Sequence, residues 1–397
     1  MESVTVLDSP CGEGKTTWCI KYMKENIDKN KFIYVTPFKK EIERVRDEIN
    51  GTGKKKELKI YEPNLINDRK YNDFVKLLTY GKSIATTHSL FGMCTDEIVN
   101  LLVAGQYTLI LDEVMNVVEE YKVKKDDTET MLKSELIKIE DDGLITWLDK
   151  SKDTRYDDFK IRCLNKSIYY LNKKTLCWTF PVQIFRAFKK VIISTYMYDC
   201  QIQRYYYDFF NIKYTKVSVK DGEIVPFYSK KINTSKIHIC TDNKINYIGD
   251  VKSSLSKGWY IKREKENNLA PLKNAITNYF IHITKAKSKD IIWTSFKDYK
   301  SNIKNKGYTK GFVSCNARAT NDYGDRHYVA YAINKYLNPY ITAFFRLRNV
   351  ELDEDNYALS EMIQFICRSA IRNNEDIYIY VPSKRMRELL ANYCSNL

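Results

Sequence analysis

The sequence predicts an α/β protein of two domains, each built on a mostly parallel β-sheet that helices cover on both faces. Short apolar segments alternate with segments of helical spacing through most of the chain, which is typical of parallel sheets whose strands are connected by helices. At 397 residues the chain is too long for one ordinary core and fits two domains of about 150–200 residues. The alternation restarts in the second half, so both domains are expected to share one architecture.

The domain boundary is expected in a polar, mixed segment from 213 to 236 that contains Gly222 and Pro226. This position predicts a first domain over 1–215 and a second over 216–397. Within the first domain the pattern loosens between about 122 and 180, where a charged run is followed by an aromatic cluster. We interpret that stretch as an insertion.

Strands in the first domain are predicted where short apolar segments end in turn or hydroxyl residues. These segments are 4–7, 31–37, 57–60, 83–88, 107–113 and 190–196. Helices are predicted where apolar residues recur every three or four positions. These segments are 15–27, 38–49, 74–80, 96–104 and 114–121.

The second domain repeats this order of elements. Its predicted strands are 236–241, 290–296, 311–316 and 376–382. Its predicted helices are 272–285, 327–337 and 356–371, with one more after the last strand.

Composition favours a folded, basic protein. Hydrophobic residues make up 44% of the chain and aromatic residues 13%, which excludes wholesale disorder. Lys and Arg total 65 against 50 Asp and Glu, which gives a formal net charge of +15 and a pI near 9.1. This balance favours a polyanionic partner such as nucleic acid, although a lysine-rich proteome would produce a similar excess.

The ten cysteines are scattered and form no Cys-x-x-Cys pair, and only four histidines accompany them. This distribution favours reduced, mostly buried thiols in a cytoplasmic protein over disulfides or a zinc site. The chain shows no basic and apolar leader and no run of about 18 apolar residues, so neither a signal peptide nor a membrane partner is expected.

A glycine-containing loop lies between the first predicted strand and the first predicted helix. Such a loop turns backbone N–H groups inward and is followed by the positive end of a helix dipole, which suits a phosphate chain. Lys15 can reach the β- and γ-phosphates, and the Thr16 hydroxyl can hold Mg²⁺. The predicted phosphate-binding residues are Pro10, Cys11, Gly12, Glu13, Gly14, Lys15, Thr16 and Thr17. Ser9 stands where this pattern usually has Gly or Ala, and a chance Gly-Lys-Thr turn is the alternative.

Two adjacent carboxylates stand at the end of the predicted strand 107–113. Asp112 is placed to join the Mg²⁺ shell, and Glu113 can accept a proton from the water that attacks the γ-phosphate. Paired acidic residues after a strand also occur as helix caps. The phosphate loop about one hundred residues earlier favours the catalytic interpretation.

A third candidate group lies in the predicted helix 356–371 and its extension. Gln364, Arg368 and Arg372 follow one another at intervals of four, which would place them on one helix face. Two guanidinium groups there suit the stabilisation of charge on a transferring phosphoryl group. An exposed polar stripe is the alternative.

The order of these motifs resembles superfamily 2 helicases and translocases of the DEAD/DEAH type, whose two RecA-like domains close on ATP. Residues 9–16 resemble motif I, 111–114 motif II and 364–372 motif VI. The remaining motifs are matched mainly by position, at 35–37, 85–88, 194–195, 293–296 and 319–321. The compact arrangement looks most like phage and mobile-element members and, more distantly, viral origin-binding helicases.

The chain departs from the family pattern at several points. Val114 and Met115 follow the acidic pair where family members usually have Ala-Asp or Ala-His. The motif VI arginines, Arg368 and Arg372, are four residues apart rather than three. No adenine-reading glutamine segment precedes the loop, and the motif III match lies about 80 residues after motif II, in keeping with an insertion.

The resemblance implies ATP-driven movement along, or unwinding of, DNA or RNA in phage or mobile-element replication or recombination. It implies ATP and Mg²⁺ as cofactors and single-stranded DNA as the favoured partner, with RNA, a forked duplex and replication or recombination proteins as further partners, in the cytoplasm of the host. Ser194 and Thr195 would couple ATP hydrolysis to movement. The residues expected to contact nucleic acid are Thr36, Pro37, Phe38, Thr86, Thr87, His88, Thr294, Ser295, Phe296, Thr320 and Asn321.

Two other classes of protein stay open on the sequence. A DNA-packaging ATPase with a nuclease domain would need converging carboxylates in the second half, where the dense cluster is Glu351, Asp353, Glu354 and Asp355. That cluster is more typical of a charged loop before a helix. A nucleic-acid-binding regulatory or origin-binding protein with a degraded ATPase would be expected to lose Lys15 or Glu113, and both are present.

Overall fold

A computed structural model describes residues 1, 3–52, 57–66, 69–148, 155–172, 175–315 and 322–395. The chain forms two compact units. The first consists of Met1–Ser9, Glu13–Tyr228 and Asn338–Leu352, and the second of Pro10–Gly12, Ser229–Leu337 and Asp353–Leu397.

The elements follow one another along the chain in alternation. The strands are β1 (Ser3–Asp8), β2 (Phe32–Thr36), β3 (Ile60–Tyr61), β4 (Ser83–Thr87), β5 (Thr108–Asp112), β6 (Val118–Tyr121), β7 (Ile137–Ile139), β8 (Ile145–Trp147), β9 (Ile168–Leu171), β10 (Thr175–Thr179), β11 (Lys190–Thr195), β12 (Thr215–Lys220), β13 (Glu223–Pro226), β14 (Ile237–Ile239), β15 (Ile291–Thr294), β16 (Tyr328–Tyr331) and β17 (Ile377–Tyr380). The helices are α1 (Lys15–Asn26), α2 (Lys39–Asn50), α3 (Lys70–Thr79), α4 (His88–Phe91), α5 (Val99–Gly105), α6 (Lys125–Lys133), α7 (Asp157–Leu164), α8 (Val182–Ala187), α9 (Ile202–Phe209), α10 (Asn243–Asn246), α11 (Lys257–Lys265), α12 (Ala270–Thr277), α13 (Lys300–Ile303), α14 (Pro339–Arg346), α15 (Glu354–Ile366) and α16 (Lys384–Ser395).

The first unit is organised on an eight-stranded sheet with the order β13-β12-β1-β11-β5-β2-β4-β3. Every neighbouring pair is parallel except β12 and β13. All five residues of β2 and of β5 are buried, as expected for central strands that are covered on both faces. Residues of α1 and α2 pack with Tyr34 and Ile110 on one face, and Ile33 and Leu109 are fully buried on the other.

The second unit has a four-stranded, all-parallel sheet with the order β14-β17-β16-β15. Its core is rich in aromatic residues, since Trp293 on β15 and Tyr380 on β17 pack with Tyr260 on α11 and with Tyr279. The predicted fold class, α/β with a mostly parallel sheet and helices in each domain, is therefore confirmed.

A smaller antiparallel sheet, β6-β10-β9, and the hairpin β7-β8 occupy the stretch that we interpret as an insertion, except that β6 lies directly before it. The segment 338–352 belongs to this first unit although it lies late in the chain. Phe344 on α14 stacks on Phe209 with ring centroids 4.4 Å apart and meets the Tyr169 ring edge-on at 5.0 Å. The sequence pattern did not indicate this return of the chain.

Three predicted elements are wrong. Residues 114–121 form no helix: the backbone takes φ 74° at Glu113 and then continues into β6, which suits the β-branched Val114, Val117 and Val118. The predicted helix 327–337 is replaced by β16, because 329–333 is a fully buried apolar run with no polar face. The predicted strand 311–316 is reduced to a single bridge between Trp293 and Phe312, and residue 316 lies outside the described residues.

In the part of the chain that the structure describes, no helix combines the length and the apolar character that crossing a bilayer requires.

The buried centre of the first sheet makes a stability prediction. Ile110→Ala should lower the free energy of unfolding by about 3 kcal/mol, because Ile110 is fully buried between β2 and β11 and its removal leaves a cavity. Ile224→Ala on the edge strand β13 is the matched control, since Ile224 is 40% exposed, and should cost well under 1 kcal/mol. Equilibrium denaturation measures both, and equal losses would contradict the assigned burial.

Candidate functional site

The candidate site lies at the carboxyl edge of the first sheet, where β1, β11, β5, β2 and β4 end together. The strand register pairs Asp8 with Thr195, Asp112 with Ser194 and Thr36 with Thr87. Hydroxyl and carboxylate side chains from distant parts of the sequence are thereby collected at one edge. In open parallel sheets this edge is where ligands bind.

The loop before α1 has the backbone conformation of a phosphate-binding turn. Gly14 caps α1 with φ 82°, a conformation that favours glycine. Apart from its chain neighbours and the helix's own backbone, no atom of the described residues lies within 4 Å of the position that a Cβ would take. The Trp18 N–H donates to the Gly14 carbonyl over 2.8 Å and begins the helix. The Lys15 ammonium donates to the Ser9 carbonyl at 2.6 Å. The space beside Gly14 is therefore open, and Lys15 follows it as the first residue of α1.

Ser9, where the motif usually has Gly or Ala, has a structural partner. Its side chain is buried and accepts a hydrogen bond of 2.8 Å from the Val219 N–H on β12. The start of the loop is thus attached to the neighbouring strand, and the departure from the motif is compatible with the loop conformation.

Asp112 is held by two threonine hydroxyls, one on each carboxylate oxygen. Thr16 Oγ1 donates to Oδ1 at 3.2 Å and Thr36 Oγ1 donates to Oδ2 at 3.4 Å. Burial and the neighbouring Glu113 carboxylate raise the pKa of Asp112 to about 7. A hydroxyl beside a carboxylate is a set of hard oxygen donors, so Thr16 and Asp112 fit a Mg²⁺ ion.

Glu113 lies directly beyond the end of β5 and is fixed by β11. Its N–H donates to the Ser194 carbonyl at 2.8 Å, and the Thr195 hydroxyl donates to its Oε2 at 2.9 Å. Its backbone has φ 74°, which is uncommon for a residue other than glycine and frequent at functional sites. Ser194 and Thr195, predicted to couple hydrolysis to movement, are therefore the residues that orient Glu113.

The residues predicted to contact nucleic acid in the first unit differ in exposure. Thr36 and Thr86 are buried, and Thr36 faces Asp112. The Thr87 hydroxyl accepts from the Leu90 N–H at 3.2 Å and caps α4. Three further predicted residues are half-buried beside these: Pro37, Phe38 and His88.

In the second unit the predicted nucleic-acid residues are mostly inside the fold. Thr294 and Ser295 are fully buried at the end of β15, and the Ser295 hydroxyl donates to the Phe296 carbonyl at 3.2 Å. The half-buried Phe296 ring meets Tyr260 edge-on at 5.4 Å. Thr320 and Asn321 lie outside the described residues.

The expectation that Gln364, Arg368 and Arg372 share one helix face is wrong. Gln364 is half-buried on α15, which ends at Ile366, and Arg372 lies in a separate 3₁₀ turn, Ala370–Asn373. The Ser369 hydroxyl donates to the Ile366 carbonyl at 2.6 Å, which gives that carbonyl a side-chain partner at the end of the helix. Arg368 is 5% exposed and donates to the carbonyls of Ser314 and Cys315 at 3.4 and 3.5 Å.

Asp8 is a residue of this edge that the sequence analysis missed. Its carboxylate accepts from the N–H groups of Met197 and Tyr198, at 2.8 and 3.1 Å, and so holds the chain just after β11. Burial raises the pKa of this carboxyl above its usual value. An acidic residue at the end of an otherwise apolar strand was the signal that could have identified it.

The raised pKa of Asp112 predicts how stability depends on pH in the protein without ligand. Because the folded state holds the proton more tightly than the unfolded state, the free energy of unfolding should fall as pH rises from about 4 to 7. Asp112→Asn cannot titrate, so its stability relative to the parent should rise by about 2–3 kcal/mol between pH 5 and 8. Denaturant titrations at both pH values measure this, and parallel pH profiles would contradict it.

Comparison with known families matches two segments. Residues 230–394 match the model of the YonV C-terminal Rossmann-like domain, and residues 118–178 match that of the YonV middle domain. The second match covers β6–β10 and overlaps the stretch interpreted as an insertion. Over 417 aligned positions the chain is 39% identical to the SPbeta prophage-derived uncharacterized protein YonV of Bacillus subtilis (strain 168), and the alignment covers 100% of both chains.

Similar solved structures include three helicases, all at low similarity. An XPD helicase matches with a TM-score of 0.47 and 12% identity, over 99% of this chain and 95% of that one. The DUF1998 helicase MrfA bound to DNA and AMPPNP matches with a TM-score of 0.36 and 11% identity, over 100% of this chain and 48% of that one. The NS3-like helicase from Alongshan virus matches with a TM-score of 0.38 and 11% identity, over 96% of this chain and 73% of that one.

The assignment of the chain to a family rests on its full-length relative and on the two matched domains. The protein belongs to the YonV family.

Proposed function

We propose that this protein is an ATPase of the superfamily 2 type that couples hydrolysis to movement along, or unwinding of, nucleic acid. One observation carries the proposal. The Thr16 hydroxyl of the glycine-containing loop donates to the Asp112 carboxylate at 3.2 Å, with Lys15 and Glu113 directly beside these two residues in sequence. A phosphate loop and a strand-end acidic pair thus meet at one edge of a parallel sheet, as a Mg²⁺-dependent nucleotide site requires.

The residues at this edge fit ATP and Mg²⁺. The open space beside Gly14 and the N–H groups of the first turn of α1 suit a phosphate chain. Lys15 donates to the Ser9 carbonyl, and its flexible side chain can turn the ammonium to phosphate oxygens instead. When bound, ATP supplies the phosphoanhydride bond and Mg²⁺ the positive charge that offsets its oxygens.

Glu113 is the proposed general base. The Thr195 hydroxyl and the Ser194 carbonyl hold it in one orientation, so its second carboxylate oxygen can accept a proton from a water molecule. Thr16 and Asp112 would hold the metal. Gln364, Arg368 and Arg372 stay proposed to stabilise charge on the γ-phosphate, although they do not share a helix face.

The proposed partner is nucleic acid, with single-stranded DNA favoured and RNA or a forked duplex as further substrates. The formal charge of +15 supports a polyanionic partner. Phe38 and His88 are half-buried near the ends of β2 and β4, where a strand could contact them. Because the relative in Bacillus subtilis is prophage-derived, we propose a role in phage or mobile-element replication or recombination, in the host cytoplasm with the proteins of that process.

The acidic residues that a nuclease centre would need form hydrogen bonds that stabilise the fold. Asp353 caps α15 by accepting from the Asn356 N–H at 3.0 Å, and Glu354 accepts from the Leu337 N–H at 2.9 Å. Asp355 accepts from Arg385 Nε at 2.9 Å. These carboxylates cap and anchor backbone elements, so they favour the ATPase proposal over a nuclease centre in this cluster.

The proposed ATPase is tested with a matched pair of lysine variants. Single-stranded DNA should stimulate phosphate release from ATP by the parent. Lys15→Ala should abolish this release, because the β- and γ-phosphates lose the lysine ammonium that offsets their charge. Lys21→Ala should retain the parent rate, since Lys21 lies on the same helix but is 54% exposed and pairs with Glu223. Parallel assays with RNA and duplex DNA identify the substrate class. A parent that hydrolyses no nucleotide with any of these nucleic acids would contradict the proposal.

The role of Glu113 makes a separate prediction. Glu113→Gln should lower ATP turnover at least about 100-fold while ATP binding persists, because the amide cannot accept the proton of the attacking water. The variant should also stay bound to nucleic acid in the presence of ATP. Glu129→Gln, which removes an exposed carboxylate from α6, is the control and should match the parent. Parent-like turnover in Glu113→Gln would assign the base to another group.

A further inference from the structure

Gln203 on α9 is a buried residue that the proposed mechanism does not use. Its side chain is 0% exposed, and the other buried residues of α9 are all aromatic. A buried amide costs free energy unless hydrogen bonds replace the water that it loses. The partners of the Gln203 amide therefore indicate why a polar residue stands at this position.

The Gln203 amide bonds to the chain just after the proposed general base. Its Oε1 accepts from the Met115 N–H at 3.0 Å, across 88 residues of sequence. Its Nε2 donates to the Tyr207 hydroxyl at 3.4 Å, which orients the amide. Both ends of the amide are thus bonded, and Met115 lies only two residues beyond Glu113.

The backbone requires this bond because the chain leaves the first sheet here. β5 ends at Asp112 and β6 begins at Val118 in another sheet, so residues 113–117 lie outside both strands. Backbone N–H groups in this connection need partners from elsewhere, and Met115 is buried away from water. Glu113 also has φ 74°, a conformation that costs free energy in a residue with a side chain and persists only where neighbouring contacts fix it.

Two contacts fix the turn at Glu113, one on each side of its unusual backbone angle. The Glu113 N–H donates to the Ser194 carbonyl at 2.8 Å, and the Met115 N–H donates to Gln203. Without the second contact the turn would be held on one side only and could relax toward negative φ. Because the Cα–Cβ bond turns with the backbone, that change would move the Glu113 carboxylate away from the Thr195 hydroxyl that orients it.

We propose that Gln203 is a positioning residue for Glu113, which it holds through the Met115 N–H in the direction that activation of a water molecule requires. The inference rests on the proposed function, in which Glu113 is the base for ATP hydrolysis. General-base catalysis depends on the placement of the base, and a displacement of about 1 Å can cost about 100-fold in rate. The proposed binding of ATP by Lys15 and Thr16 does not involve this contact.

The test is steady-state ATP hydrolysis by Gln203→Met, with the nucleic acid that best stimulates the parent. Methionine is close to glutamine in length and volume but has no oxygen to accept the Met115 N–H. Gln203→Met should lower kcat at least about tenfold, while KM for ATP stays within about twofold of the parent value. Gln203→Glu should keep a kcat near that of the parent, because its carboxyl oxygens can accept from the Met115 N–H and the Tyr207 hydroxyl.

Two results of this assay would overturn the inference. One is a parent-like kcat in Gln203→Met, and the other is a kcat in Gln203→Glu as low as in Gln203→Met. If Gln203→Met does not fold, Gln203→Asn takes its place and is judged in the same way. Its side chain is one methylene shorter, which brings the amide out of hydrogen-bond range of the Met115 N–H.

A double variant separates positioning from a general effect on the fold. In Glu113→Gln the proposed base is absent, so the addition of Gln203→Met should leave the residual turnover unchanged within about twofold. A loss in the double variant as large as the loss in Gln203→Met alone would mean that Gln203 acts on something other than Glu113. That result would also overturn the inference.

Asn50→Leu is the matched control. Asn50 is 2% exposed in the same unit, and its Oδ1 accepts from the N–H groups of Lys59 and Ile60 at 2.9 Å. These contacts hold β3, which pairs with the beginning of β4 at the edge of the sheet opposite to Glu113. Asn50→Leu should therefore unfold at a lower denaturant concentration than the parent and keep the parent's kcat. Equal losses of kcat in Asn50→Leu and Gln203→Met would contradict the inference.

The two proposals fail separately in these experiments. If Lys15→Ala abolishes hydrolysis while Gln203→Met keeps the parent's kcat, the ATPase stands and only the role of Gln203 is refuted. If the parent hydrolyses no ATP, the proposed function fails and the role of Gln203 fails with it.

Discussion

The candidate site depends on keeping one buried carboxylate satisfied at the end of β5. Asp112 is almost fully buried, and a buried carboxylate is costly unless hydrogen bonds replace its water. Thr16 from the glycine-containing loop and Thr36 from β2 supply those bonds. The same contacts hold the first turn of α1 against the sheet edge, so one interaction serves both the fold and the proposed metal site. Burial and the neighbouring Glu113 carboxylate still raise the pKa of Asp112 to about 7, despite the neutral hydroxyls that donate to it.

The rest of the first sheet keeps this interaction in place. The parallel register of β5 and β11 sets Glu113 beside Thr195, although 82 residues separate them in sequence. Asp8 holds the chain after β11, and Ser9 attaches the loop to β12. Because the central strands are buried on both faces, a shift of any one of them would cost packing as well as polar contacts. A sheet edge held in this way suits the proposed role of Glu113 in orienting a water molecule.

Much of the fold and part of the site could be predicted from local patterns. Most strands of the two main sheets, the glycine-containing loop and the acidic pair after β5 each have a signature within a few residues, whereas β12, β13 and β16 did not stand out as strands. Contacts that depend on tertiary neighbours have no such signature in the local sequence. The turn of Thr36 toward Asp112 requires the register of two strands. The bonds from Arg368 to the carbonyls of Ser314 and Cys315 join segments 54 and 53 residues apart in sequence. The apolar run 329–333 could not be distinguished from a helix by periodicity alone.

The most direct test of the proposed site is a crystal structure of the protein with Mg²⁺ and a non-hydrolysable ATP analogue. We expect Mg²⁺ about 2.1 Å from the Thr16 hydroxyl oxygen, with Asp112 in or directly behind its coordination shell, and the γ-phosphate beside Lys15. A nucleotide bound away from the loop before α1, or a metal ion that neither Thr16 nor Asp112 approaches, would contradict it.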